Sequence, residues 1–192
     1  MTDITEDNAV LATVSVSRSW RRHAYEEDRV LYRDAPTVEV STLIEGATGD
    51  QVWDLVTDIN LPTRAAGELE STEWVGDPGV AVGARFRGTN SSEDMGTWIG
   101  ECEITEVDPG RRWVWQVGPA GGDPWATWAF EVEPSSKGTI VRQWARLGPG
   151  PSRLSEFIAT QPDKETRVIA HRLNTWREAM QANLTLIHTT LT

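Results

Sequence analysis

Asn90, Gln143 and Arg85 are the side chains best placed for chemistry, because each falls on an alternating, strand-like stretch with one face turned inward. In Ala84–Asn90, Phe86, Gly88 and Asn90 share one face, and Arg85 and Arg87 share the other. With Phe86 inward, Asn90 is an amide that can fix a ligand oxygen, or it makes a strand-end hydrogen bond. With the opposite face inward, an arginine would polarise a carbonyl or hold an enolate. Gln143 shares a face with Thr139 and Val141, while Arg142, Trp144 and Arg146 lie opposite. Asp58 and Glu68 are the carboxylates best placed near a cavity rim. Burial would raise their pKa and suit them to acid or base work; a solvated cap or rim charge is the plainer reading.

The motifs that announce other chemistries are missing. There is no Gly-x-Ser-x-Gly elbow, no phosphate-binding glycine loop and no His-Glu-x-x-His. The 3 histidines are too few and too scattered for a His-based metal cluster, and nothing calls for a cofactor. His171 lies about 200° around its helix from Ile169, away from the apolar stripe, His188 sits at a helix end, and His23 precedes the patterned region. Cys102 has no adjacent His or Lys to activate it and reads as a packed thiol.

Aromatic residues are unevenly chosen: 10 Trp against 3 Phe and 2 Tyr. Trp98, Gly100, Cys102 and Ile104 share one strand face. Trp113, Trp115 and Val117 form one face of the next strand, and Trp128, Phe130 and Val132 one face of the strand after that. Such faces make a stacking wall for a planar ligand, or they pack against the last helix. The expected ligand-contacting set is therefore Phe86, Trp98, Trp113, Trp115, Trp128 and Phe130, with Leu173, Trp176 and Met180 from the helix.

The elements that must position these residues follow from local pattern. Val38, Val40, Thr42 and Ile44 alternate on one strand face. Thr48-Gly49-Asp50-Gln51 matches a capping box, opening a helix that carries Val52, Leu55, Val56 and Ile59. Pro62 suits the first turn of a second short helix ending near Gly67. Period-2 segments then run over 68–75, 84–90, 97–107, 112–117, 125–133 and 139–147. Turn residues such as Asp77-Pro78-Gly79 and Asp108-Pro109-Gly110 separate several of them. This spacing favours antiparallel hairpins over parallel crossovers. Ser152–Thr160 predicts a short helix whose apolar side, Leu154, Phe157 and Ile158, would be a lid. The stripe Ile169, Leu173, Trp176, Met180, Leu184, Ile187 predicts one long helix over about 163–188. A curved antiparallel sheet closed by one terminal helix leaves a cavity between them.

Bulk properties bound the rest. A chain of 192 residues suits one domain able to enclose a pocket. A net charge of -11 offers no footprint for nucleic acid. No window approaches the ~20 apolar residues of a membrane span. The first residues include Asp3, Glu6 and Asp7 and lack the apolar run of a signal peptide. With a lone cysteine, this sets the expectation of a cytoplasmic protein. Residues 1–36 read as an N-terminal extension ahead of a domain over 37–192. Within it, Leu11–Ser17 alternates like a strand, and Arg18–Asp34, with Trp20, Tyr25 and Tyr32, admits a helix, a disordered arm or a homodimer contact.

From Val38 to Ile187 the chain resembles the START-like (SRPBCC) superfamily, in particular small bacterial polyketide cyclase/dehydrase-like proteins. The resemblance is carried by Gly83-Ala84-Arg85-Phe86-Arg87-Gly88-Thr89-Asn90, by Trp98, Cys102 and Ile104, by Pro109 through Trp115, by Trp128-Ala129-Phe130, and by the end of the last helix. It implies an α+β helix-grip fold, about seven antiparallel strands wrapped around a long C-terminal helix. It also implies binding of a hydrophobic, polycyclic or polyketide-like molecule, with cyclisation, aromatisation or dehydration as the chemistry. The superfamily has no universal catalytic motif. A non-enzymatic carrier or sensor of lipids is the alternative, and an interaction protein docking through residues 1–36 a third.

Overall fold

The computed structural model describes residues 11–15 and 30–192. The expectations for Trp20, His23 and Tyr25 lie outside the described residues. Among the described residues, eight strands form one fully antiparallel sheet in the order β1-β2-β8-β7-β6-β5-β4-β3. They are β1 (Leu11–Ser15), β2 (Thr37–Glu45), β3 (Leu69–Val75), β4 (Arg85–Ser92), β5 (Gly96–Asp108), β6 (Arg112–Val117), β7 (Ala126–Ser135) and β8 (Gly138–Leu147). Seven of these strands, β2 to β8, make up the helix-grip sheet; β1 adds to its edge, with Leu11 opposite Ser41 and Ser15 opposite Thr37. Among the described residues the α-helices are α1 (Gly49–Val56), α2 (Arg153–Thr160) and α3 (Glu165–Leu191).

Local chemistry explains most boundaries. On β2 the residues Val38, Val40, Thr42 and Ile44 are all buried while their neighbours are not. The capping box is present: Gln51 N–H donates to Thr48 Oγ1 at 3.3 Å, and Thr48 N–H donates to Gln51 Oε1 at 2.9 Å. After α1 the chain makes a single 3-10 turn, Leu61–Arg64, rather than a helix reaching Gly67. That turn carries the chain from β2, next to β8, to β3 on the opposite edge. From β3 onward consecutive strands pair as hairpins. Bulges between Ile104 and Glu106 on β5, and between Leu69 and Ser71 on β3, interrupt the ladders. Bulges bend and twist a strand, which helps this sheet curl.

α3 lies in the concave face. Ile169, Leu173, Trp176, Met180, Leu184 and Ile187 are all buried, as the stripe requires. Two side-chain hydrogen bonds tie the α1 region to the sheet. Trp113 Nε1–H donates to the Val56 carbonyl at 3.0 Å, and Thr139 Oγ1–H donates to the Ala47 carbonyl at 2.8 Å. These bonds satisfy a buried indole and a buried hydroxyl, groups that are costly to leave unpaired.

Candidate functional site

Between the sheet and α3 lies a cavity of about 460 Å³, within the range of small-molecule pockets. Its room comes partly from what is missing. Gly88 of β4 pairs with Gly100 of β5, and both line the space. A Cβ at Gly88 would come within 2.8 Å of Leu69 Cδ1, and one at Gly100 within 3.0 Å of Val117 Cγ1. Side chains at this pair would displace the cavity wall.

The wall itself is aromatic. Trp113 and Trp115, two apart on β6, stack with centroids 4.3 Å apart and planes 23° apart. Trp115 lies nearly parallel to Trp128 of β7, 6.3 Å away at 12°. Trp128 meets Trp176 of α3 at 4.8 Å, and Phe86 reaches Trp113 at 6.4 Å. Phe130 completes the stack against Trp115 at 6.1 Å. One aromatic surface therefore runs from β4 across β6 and β7 to the helix, with Trp98 of β5 also on the lining.

Few polar groups break this surface. Asn90 lines it, with Nδ2 donating to the Gly88 carbonyl at 3.1 Å. Gln143, on the buried face of β8, accepts at Oε1 from Asn183 Nδ2 of α3 at 3.1 Å. Toward the rim, Arg172 Nη1 donates to both oxygens of Glu68 at 2.7 Å. Its guanidinium lies 5.2 Å from the Trp176 ring and 5.8 Å from the Trp98 ring, within reach of cation–π attraction. Asp58 is held by Arg64 at 2.8 Å. Burial pushes the Asp58 carboxyl up, but Arg64 and the Asn60 amide outweigh it and leave its pKa below the usual carboxylate range. Asp58 is thus the reverse of a raised-pKa acid, and Glu68 has both oxygens engaged. Cys102 also lines the cavity; burial, with the Glu101 charge adding to it, pushes its thiol up to about 12. It stays protonated and packed, not nucleophilic.

The structure brings Asn90, Gln143, Phe86, Trp98, Trp113, Trp115, Trp128, Phe130, Trp176 and Leu154 onto one lining. Arg85 is excluded. With Phe86, Gly88 and Asn90 inward, strand alternation turns Arg85 and Arg87 to the outer face, where Arg87 Nε bonds Glu101 at 2.7 Å and Arg85 lies 3.6 Å from it. Leu173 and Met180 are buried in the packing between α3 and the sheet and do not reach the lining. The cavity-facing residues of α3 are instead Arg172, Trp176, Ala179 and Asn183. Of the expected lid, Leu154 lines the mouth, Ile158 is buried off the lining, and Phe157 is 47% exposed. On a helix Ile158 falls about 40° from Leu154, whereas Phe157 falls about 60° to the other side, toward solvent.

Arg172, Ala179 and Asn183 lie outside the set expected from the sequence. The available signal was a second periodicity on α3, displaced one residue from the apolar stripe. At the mouth the β4–β5 hairpin tip meets α2, where Arg153 Nη1 donates to the Met95 carbonyl at 3.5 Å. Tyr32 anchors the preceding loop: its hydroxyl donates to the Gly150 carbonyl at 2.7 Å, and its N–H donates to Glu165 Oε1 at 2.8 Å.

A curved antiparallel sheet gripping a C-terminal helix around an aromatic cavity defines the START-like class. The chain belongs to the polyketide cyclase / dehydrase and lipid transport family, whose model matches residues 35–177. It is similar to the solution structure of a polyketide-cyclase-like protein from Corynebacterium glutamicum, at 28% identity over 81% of this chain and 90% of that one, with a TM-score of 0.57. A protein from Mycobacterium smegmatis is 16% identical, covering 96% of this chain and 98% of that one, with a TM-score of 0.58. The di-domain ARO/CYC protein StfQ of the steffimycin biosynthetic pathway shares the fold at 11% identity and a TM-score of 0.61, matching 81% of this chain. The match covers 50% of StfQ, so this chain spans about half of that protein. No curated protein matches the chain in sequence. Among the described residues, no helix is long and apolar enough to cross a membrane.

Proposed function

We propose that the chain binds a hydrophobic, polycyclic or polyketide-like small molecule between the sheet and α3, and promotes its cyclisation, aromatisation or dehydration. The observation that carries this reading is the continuous aromatic wall, Trp113–Trp115–Trp128–Trp176, lining a space of about 460 Å³ whose polar groups include three amides and the Arg172–Glu68 ion pair. Flat faces stack on planar ligands. Family membership and the ARO/CYC neighbour support the polyketide chemistry. Catalysis of this kind needs no strong base: a chain folded in a dry, shaped space is held near its reacting geometry, and amides such as Asn90 and Gln143 stabilise enol or enolate oxygens.

A second reading, a carrier of hydrophobic molecules, is favoured by the same charges. Glu68 and Asp58 are ion-paired, and the Cys102 thiol stays protonated, so none of them is free to shuttle protons. The lone buried thiol suits a cytoplasmic setting for either activity. The test is native mass spectrometry of protein purified from its own host, followed by incubation of any released ligand with fresh protein. A co-purifying aromatic polyketide that is converted supports the enzyme; one returned unchanged supports the carrier. Protein that neither co-purifies with nor binds any apolar ring compound would sink both.

A further inference from the structure

The cavity-facing strip of α3, Arg172–Trp176–Ala179–Asn183, advances by four, three and four residues. At 1.5 Å per residue its ends lie about 16 Å apart. The ends are chemically unlike. The Arg172 end is charged and partly open, with Glu68 beside it. The Asn183 end is neutral and closed: Gln143 is 2% exposed and Asn183 4%. Both line the cavity, so the cavity is the space their side chains keep.

A primary amide carries an acceptor oxygen and a two-proton donor nitrogen. The contact between these two amides uses Asn183 Nδ2 and Gln143 Oε1. Among the described residues, Gln143 Nε2 and Asn183 Oδ1 have no hydrogen-bond partner. Nor are they among the sealed, unpartnered side-chain atoms, which are Glu101 Oε2, Arg112 Nε, Thr127 Oγ1 and Arg142 Nε. One donor atom and one acceptor atom of this pair are thus left without a protein partner, on two residues that both line the cavity. Turning both amides over exchanges their places but leaves one of each. Buried polar groups gain most from a ligand that supplies the missing partners.

We propose that Gln143 and Asn183 form a polar anchor at the inner end of the cavity, selecting neutral ring-bearing ligands with a hydrogen-bond acceptor beside a donor, such as a carbonyl next to a hydroxyl. The proposal rests on the reading that the cavity binds apolar ring compounds. The Gln143 amide donates to the carbonyl and Asn183 Oδ1 accepts from the donor, while the rings run back along the tryptophan wall toward Arg172. An ionised carboxylate is disfavoured at this end, because it has no proton to offer Asn183.

Isothermal titration calorimetry with naphthalene, 2-acetonaphthone and 2-naphthamide tests the anchor, since these probes present neither group, the acceptor alone, and both. The wild-type protein is expected to bind 2-naphthamide about tenfold more tightly than naphthalene, with 2-acetonaphthone between them. In the Gln143→Met/Asn183→Leu variant the three should fall within about twofold of one another, with naphthalene binding retained. Equal affinities in the wild type, or a preference that survives in the variant, would overturn the anchor while leaving the apolar cavity standing. Failure of every probe to bind the wild type would overturn the cavity reading and the anchor together. If circular dichroism shows the double variant unfolded, the swapped apolar pair Gln143→Leu/Asn183→Met decides: the three probes should again fall within about twofold of one another, and a surviving preference for 2-naphthamide refutes the proposal.

Discussion

Two strips run along α3, one residue apart in phase. The first, Ile169, Leu173, Met180, Leu184 and Ile187, is aliphatic apart from a thioether and is buried against the sheet; Trp176, on the same apolar stripe, is shared with the second. The second, Arg172, Trp176, Ala179 and Asn183, faces the cavity and carries a cation, an indole, a methyl and an amide. Successive helical residues differ by about 100°, so a displacement of one residue turns a side chain from the packed interior to the open space. The helix thus separates its duties by angle. Packing is homogeneous because any well-fitting apolar group serves it; a binding surface is heterogeneous because each position meets a different part of a ligand.

Substitutions on the two strips should therefore come apart. Met180→Ala should cost about 3 kcal/mol of stability in urea unfolding, because it opens a void in a fully buried site. A loss below about 1 kcal/mol would mean that the packing strip is looser than drawn. Ala179→Phe on the other strip should leave stability within about 1 kcal/mol and fill the space ligands need, lowering ring-compound affinity by about tenfold or more in calorimetry. Unchanged affinity would place the ligand elsewhere.

Arg172→Met is a subtler break. It keeps the stem against Trp176 but removes the charge from Glu68, and should cost about 1 kcal/mol while speeding ligand release in stopped-flow measurements. Unaltered release would remove the rim pair from the exchange route. The smallest effect concerns Asp58. Its carboxyl pKa is lowered in the folded protein, so its contribution is present at neutral pH, above the ordinary carboxylate value of 3.8, and is lost as the pH falls through the folded value. Asp58→Asn should therefore reduce stability slightly at pH 7 and make the difference from wild type vanish toward pH 2. A difference that grew on acidification would contradict the Arg64 pairing.

Much of this arrangement is legible without coordinates. The strand over 38–44, the Thr48–Gln51 capping box, six further strands and the long terminal helix all rest on signals within about ten residues of chain. The inward faces of β6 and β7 follow from alternation alone once one residue is placed. The turn after α1 was less legible, because Pro62 starts a 3-10 turn as readily as an α-helix. For the site, Gln143 and the aromatic positions of β5, β6, β7 and α3 were readable as candidate inward polar or stacking groups, while on β4 the face of Phe86 and Asn90 stood against that of Arg85 as alternative inward faces. Arg85 was left open because the pattern of β4 is nearly symmetrical: one face offers Phe, Gly and Asn, the other two arginines, and only pairing with Glu101 on β5 decides between them.

By itself, then, the sequence determined the elements, their order, the antiparallel hairpins and the apolar stripe that seats α3, since periodicity, capping and turn residues act between near neighbours. The tertiary structure alone decided which residues meet across long separations. Gln143 reaches Asn183 and Arg172 reaches Glu68 only because the sheet curls around the helix, the partners standing 40 and 104 positions apart in the chain. It also decided that Leu173 and Met180 pack while their neighbours Arg172 and Ala179 face the cavity. The amphipathic pattern reports how much apolar surface a helix must bury, but not where along its circumference the packing ends and the empty space begins.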